Sequence, residues 1–184
     1  PFVSYPYEWC FSQLKDAAVT SLRIQREAFE FGMSLKDCSA YNIQFADCQP
    51  IFIDTLSFER YREGRPWVAY RQFCQHFLAP LALMSFRDVR LGQLTRIHLD
   101  GIPLDLASAL LPFRTRLSFS LLSNIHLHAR SQAHYADRRV DTRRPKLSRF
   151  GLIGIISSLE SGVKGLKWKP GGTEWGEYYQ DTNY

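Results

Sequence analysis

The chain has 184 residues, 45% hydrophobic and 22% charged, with a formal net charge of +5. That apolar fraction suits one or two globular domains and excludes a disordered chain. Four cysteines, at 10, 38, 48 and 74, show no paired spacing and fit neither a disulfide scaffold nor a zinc site. A reducing, cytoplasmic setting is expected. No apolar run approaches the roughly 18–20 residues needed to cross a bilayer, and no signal peptide is legible, so no membrane partner is expected.

In chain order, the opening PFVSYPYEWCF is rich in aromatics and proline and reads as an extended segment packed against something. Residues 12–31 predict a helix: Leu14, Ala17, Ala18, Leu22, Ala28 and Phe29 recur at three- and four-residue steps, with Gly32 as its stop. Next comes LKDCSAYN, polar and without helical period, read as a loop. Two short strands, 42–45 and 50–54, flank a turn at 46–49 and form a hairpin candidate. Residues 67–84 carry a wide apolar face and predict a central buried helix. Asp105 is expected to cap 106–111, with Pro112 ending it. Residues 116–130 form another amphipathic stretch, and 152–166 one more helix before a Gly-rich turn and an aromatic tail. The fold class is mainly α with a small β-hairpin, α+β.

Charge is unevenly placed. The thirteen residues from Asp137 to Arg149 hold six basic side chains against two acidic ones. Without interleaved aromatics to stack on bases, this run reads as a solvated basic linker, and nucleic acid is not expected as a partner. The chain divides accordingly into 1–132, a linker at 133–150, and 151–184, a helix and tail leading toward a further domain.

Three residues carry the chemistry. Asp37 and Asn42 lie five apart on the loop after the first long helix, and Asp54 ends the hairpin's second strand. Phosphoryl transfer needs such a set: one carboxylate takes a proton from the attacking hydroxyl, while an amide oxygen and a second carboxylate hold Mg²⁺. The bland alternative is that Asp37 and Asn42 only brace their own loop.

The segment LKDCSAYNIQF…PIFID resembles the catalytic loop and metal-binding strand of the protein-kinase-like fold, in the form seen in aminoglycoside phosphotransferases. The resemblance implies a kinase-like C-terminal lobe, with Asp37 as catalytic aspartate, Asn42 and Asp54 as metal ligands, and Mg²⁺ and ATP as cofactors. Lys36 and Thr55-Leu56 depart from the usual flanking residues. Only 36 residues precede Asp37, and neither a GxGxxG loop nor a VAIK-like strand occurs. The chain is therefore expected to be a fragment whose N-lobe is absent.

A second resemblance covers YPYEWCFSQLKDAA, LKDCSAYNIQF, PIFIDTLSFE, PWVAYRQFCQHFLAPL and LDGIPLDLASALLP. These runs look like the N-terminal half of bacterial proteins labelled SAM-dependent methyltransferases, some with nodulation-related names. That resemblance implies a transferase in which SAM is bound only outside these 184 residues. The partners implied are the methyltransferase domain of the same protein and a small-molecule or protein acceptor. A non-catalytic docking module for that domain is the rival expectation.

Among other residues, His126, His128 and His134 are read as helix-surface histidines rather than a metal site. His76 is expected to be partly buried, Cys38 to be a small buried residue, and Trp67 to pack or to line a cleft.

Overall fold

The computed structural model describes residues 3–129 and 147–168. Helix α1 (Phe11–Glu30) starts where Gln13 reaches back to the Cys10 backbone N–H at 3.0 Å. It buries Leu14, Ala17, Ala18, Leu22, Ala28 and Phe29 along one stripe, as the three- and four-residue spacing predicts. It ends at Gly32, whose φ of +67° is open to glycine without steric cost.

Two antiparallel pairs of strands follow. Strand β1 (Met33–Leu35) pairs with β4 (Phe58–Arg60), while β2 (Ile43–Ala46) and β3 (Gln49–Phe52) form the expected hairpin. Asp47 and Cys48 fill its two-residue turn, both with positive φ (49° and 61°), the backbone that matches the twist of the flanking strands. The β1–β4 pair escapes the sequence reading because three-residue strands hold too little period to register. The opening segment packs on the hairpin: Ser4 and Gln44 exchange hydrogen bonds through Ser4 N (3.1 Å) and Ser4 O (3.0 Å). Trp9 meets Phe45 edge-on.

The central helix spans α2 (Tyr70–Phe73), a π segment (Cys74–Leu78) and α3 (Ala79–Phe86). Phe73, Phe77, Leu78, Leu81 and Leu83 are wholly buried within it. The π register has a local cause. Ala79 N–H bonds Cys74 C=O, five residues back, and the next donor would be Pro80, which has none. The stranded carbonyl of Gln75 is taken by Ile102 N–H at 3.0 Å. That approach requires Gly101, at φ +93°, because a Cβ there would stand 2.6 Å from Gln75 Cβ.

The other α-helices among the described residues are α4 (Leu94–Ile97), α5 (Leu104–Leu110), α6 (Phe119–Leu121), continued by a π segment (Leu122–Leu127), and α7 (Arg149–Gly165). Asp105 does not cap α5. Pro103 holds the N-cap position, and Asp105 lies in the first turn, where its charge suits the helix dipole. Helix α7 is capped by Ser148 and packs on α1 and α6. Arg26 pairs with Glu160 at 2.7 Å, and Lys15 Nζ bonds the terminal carbonyls of Lys164 and Leu166. Its buried residues Leu152, Ile156, Leu159 and Val163 share one core with Leu22, Phe73 and Leu104. The segment set apart on sequence grounds thus contributes a helix to the core of 3–129. Most of the basic run, His134 and the aromatic tail lie outside the described residues.

Among the described residues the architecture is mainly helical with two small antiparallel sheets, an α+β fold. Among the described residues no helix is long and apolar enough to cross a membrane.

Candidate functional site

The loop between β1 and β2 is tied down from three sides. Gln25, fully buried on α1, accepts Leu35 N–H at 2.7 Å and donates to Ser34 Oγ at 3.2 Å, fixing β1. Trp67 Nε1 donates to Leu35 C=O at 2.9 Å. Beyond the strand, Lys36 N–H bonds Ser57 C=O at 2.8 Å, and Cys38 N–H bonds Gln72 Oε1 of α2 at 2.6 Å. Asp37 sits between these two anchors.

Within the loop, Asp37 Oδ1 accepts Ser39 N–H at 2.9 Å and Ser39 Oγ accepts Tyr41 N–H at 3.2 Å. These side-chain turns lead into the single 3₁₀ turn Ala40–Asn42. Asn42 C=O then accepts Ile53 N–H at 2.8 Å, so the two ends of the hairpin meet.

Asn42 and Asp54 are brought together through Ser57. Asn42 Nδ2 donates to Ser57 Oγ at 3.0 Å, and that hydroxyl donates to Asp54 Oδ2 at 2.6 Å. Asp54 Oδ1 accepts Leu56 N–H at 2.9 Å. The Ser57 hydroxyl, the Leu56 N–H and the nearby Lys36 charge hold the Asp54 carboxyl below the usual carboxylate range, outweighing desolvation. The Asp37 carboxylate is not bonded at this node: its Oδ1 braces its own loop at Ser39 N–H, and only the backbone of its neighbour Lys36 reaches the Ser57 carbonyl.

The donor set suits a small hard cation. With Nδ2 committed to Ser57, the Asn42 amide offers its carbonyl oxygen, and Asp54 offers an anionic carboxylate. An amide oxygen and one carboxylate match Mg²⁺, which usually keeps several waters and binds phosphate oxygens rather than a full protein cage. Among the described residues no group of three or more His, Cys, Asp or Glu comes together to hold a metal ion.

Beneath the loop lies His76, buried in the π segment, with the Tyr41 ring edge-on at 6.3 Å. Burial pushes its pKa down to about 4, opposed by the Asp37 and Asp100 charges. Cys38 is buried, as expected, and its thiol is pushed up strongly, chiefly by desolvation, away from the reactive thiolate. Trp67 is 4% exposed and packs beside Phe73, so it lines no cleft.

The histidine expectation needs correction at His126. That side chain is buried, with Ser108 Oγ at 2.8 Å from Nδ1 and Thr115 Oγ1 at 2.9 Å from Nε2. The π segment Leu122–Leu127 turns it inward. His128 faces the Tyr70 ring at 5.6 Å.

Sequence reasoning missed Ser57 and Gln72. Ser57 follows Asp54 by three residues, the spacing of a side-chain-braced turn, and that signal was available. Gln72 carries no such mark, because only the fold brings α2 beneath Cys38.

Taken whole, the sequence is similar to nodulation protein NoeA of Rhizobium meliloti (strain 1021), 35% identical over 187 residues. The chain resembles a nodulation protein. The match covers 99% of this chain and 39% of NoeA, so the chain spans about two fifths of its curated relative. Comparison with known families finds no match. No solved structure matches either.

Proposed function

We propose that this chain is a kinase-like C-terminal lobe that takes part in phosphoryl transfer from Mg-ATP to a hydroxyl group. In this reading it belongs to a bacterial protein that also carries a SAM-dependent methyltransferase domain. The observation that carries the phosphotransfer reading is the meeting of Asn42 and Asp54 at Ser57, beside the anchored loop of Asp37. The order of elements supports it: a long helix, a loop with Asp-x₄-Asn, a hairpin, Ile-Asp and a central buried helix.

The roles follow from chemistry. Asp37 accepts the proton of the acceptor hydroxyl as its oxygen attacks the γ-phosphorus and the bond to the β-phosphate oxygen breaks. Asn42 and Asp54 would hold Mg²⁺, which when bound neutralises phosphate charge. Gln72 and the Ser57 carbonyl keep the Asp37 backbone fixed. A glycine-rich loop and a nucleotide-gripping lysine would have to come from another part of the parent protein.

A second reading has its own observation. Phe113, Leu117 and Phe119 are each more than 70% exposed, which suits a docking module with no catalysis. Calorimetry with Mg-ATP on the full-length protein separates the two. Binding that Asp54→Ala abolishes supports phosphotransfer, and no binding in either protein supports docking.

A further inference from the structure

Ser57 is 1% exposed, and its hydroxyl has one proton to give and two lone pairs to accept with. The proton goes to Asp54 Oδ2 at 2.6 Å, so toward Asn42 the oxygen can only accept, and it takes Nδ2–H at 3.0 Å. A primary amide can turn over about its last bond, and in the turned position Asn42 would set its carbonyl oxygen against an oxygen with no proton left. The Asp54–Ser57 bond therefore decides which end of the Asn42 amide faces away from Ser57. That end is the oxygen, the only end a cation can use.

We infer that Ser57 is a positioning residue for a divalent-cation site, its hydroxyl locking the Asn42 amide and the Asp54 carboxylate in the cation-accepting orientation. The inference rests on the reading of Asn42 and Asp54 as cation ligands. The backbone of Ser57 does separate work, because its carbonyl holds Lys36 N–H and joins the Asp37 loop to the same node. Loss of the hydroxyl leaves that backbone bond in place, so side-chain orientation can be tested without undoing the loop.

The test uses the full-length protein, Mn²⁺ as the probe, and Ser57→Ala beside Ser57→Thr. Without metal, the Asn42 side-chain NH₂ resonances are expected to shift in Ser57→Ala and to stay near their wild-type positions in Ser57→Thr. Titrated with Mn²⁺, Ser57→Ala is expected to bind about 10–100-fold more weakly than wild type, the usual cost of losing a group that orients a metal ligand. Ser57→Thr, which keeps the hydroxyl, should restore most of that affinity. Should Ser57→Ala not fold, Ser57→Cys, with similar volume and a weaker donor, is read in its place. Wild-type affinity in Ser57→Ala, with the Asn42 resonances unmoved, would overturn the role of Ser57 alone. Failure of wild type itself to bind Mn²⁺ would overturn the cation reading and this inference with it.

Discussion

Gln72 shows how much one side chain decides at this site. Its amide oxygen is the acceptor for Cys38 N–H, the peptide that follows Asp37. Gln72→Leu keeps the bulk and strands that N–H, a loss of about 1–3 kcal/mol for a buried donor left unpaired. On the phosphotransfer reading kcat falls as well, because the Asp37 backbone loses an anchor. Chemical denaturation and turnover of the full-length variant check both. Asp37→Asn, by contrast, is expected to leave stability within about 0.5 kcal/mol while abolishing transfer. His76 adds a pH dependence. Its folded pKa lies at about 4, below its ordinary 6.5, so between those values the unfolded chain binds the proton more readily. Stability from this group is complete above about pH 6.5 and is lost as pH falls to about 4, by about 3 kcal/mol in all. Denaturation at pH 7 and pH 4.5 should show that slope, and His76→Gln should flatten it.

At the level of elements, the central helix is held open by Pro80 and closed again by Gly101-Ile102. Gly101→Ala meets both a positive φ and Gln75 Cβ, so a loss of about 1–3 kcal/mol or more is expected from strain and clash together. A shift in thermal midpoint measures it. This element also shows what was legible in the sequence. The apolar face of 67–84 announced a buried helix, and the spacing of Leu14 to Phe29 announced α1. The π register was not legible, because Pro80 only removes a donor, and the carbonyl it strands is met by Ile102, more than twenty residues downstream. The hairpin could be read from Ile-Phe-Ile and its turn, whereas β1 and β4 could not, each being three residues held by a partner far along the chain. At the site, Asp37, Asn42 and Asp54 stood out by spacing. Gln72 did not, since nothing local in the sequence places it under the loop. The burial of His126 was not legible either, because a 3.6-residue period does not describe a π segment.

Across the whole molecule, α7 belongs to the core of the preceding residues. Leu159 is fully buried there, and Leu159→Ala is expected to cost about 2–5 kcal/mol. Because one core is shared, that loss should lower the midpoint of a single transition followed at Trp9 and Trp67. A separate early transition for α7 would show that it packs independently. Similarity to NoeA runs along nearly the whole chain and so includes α7 as well as the Asp37 loop. On the proposed reading, the ends of the hairpin make one cation site. Paramagnetic broadening by substoichiometric Mn²⁺ in the ¹⁵N spectrum of the full-length protein tests this most directly. Broadening concentrated on the amides of 37–42 and 54–57, and lost in Asp54→Ala, is the result expected. Broadening centred elsewhere, such as around Asp88 or Glu160, or unchanged by Asp54→Ala, would contradict it.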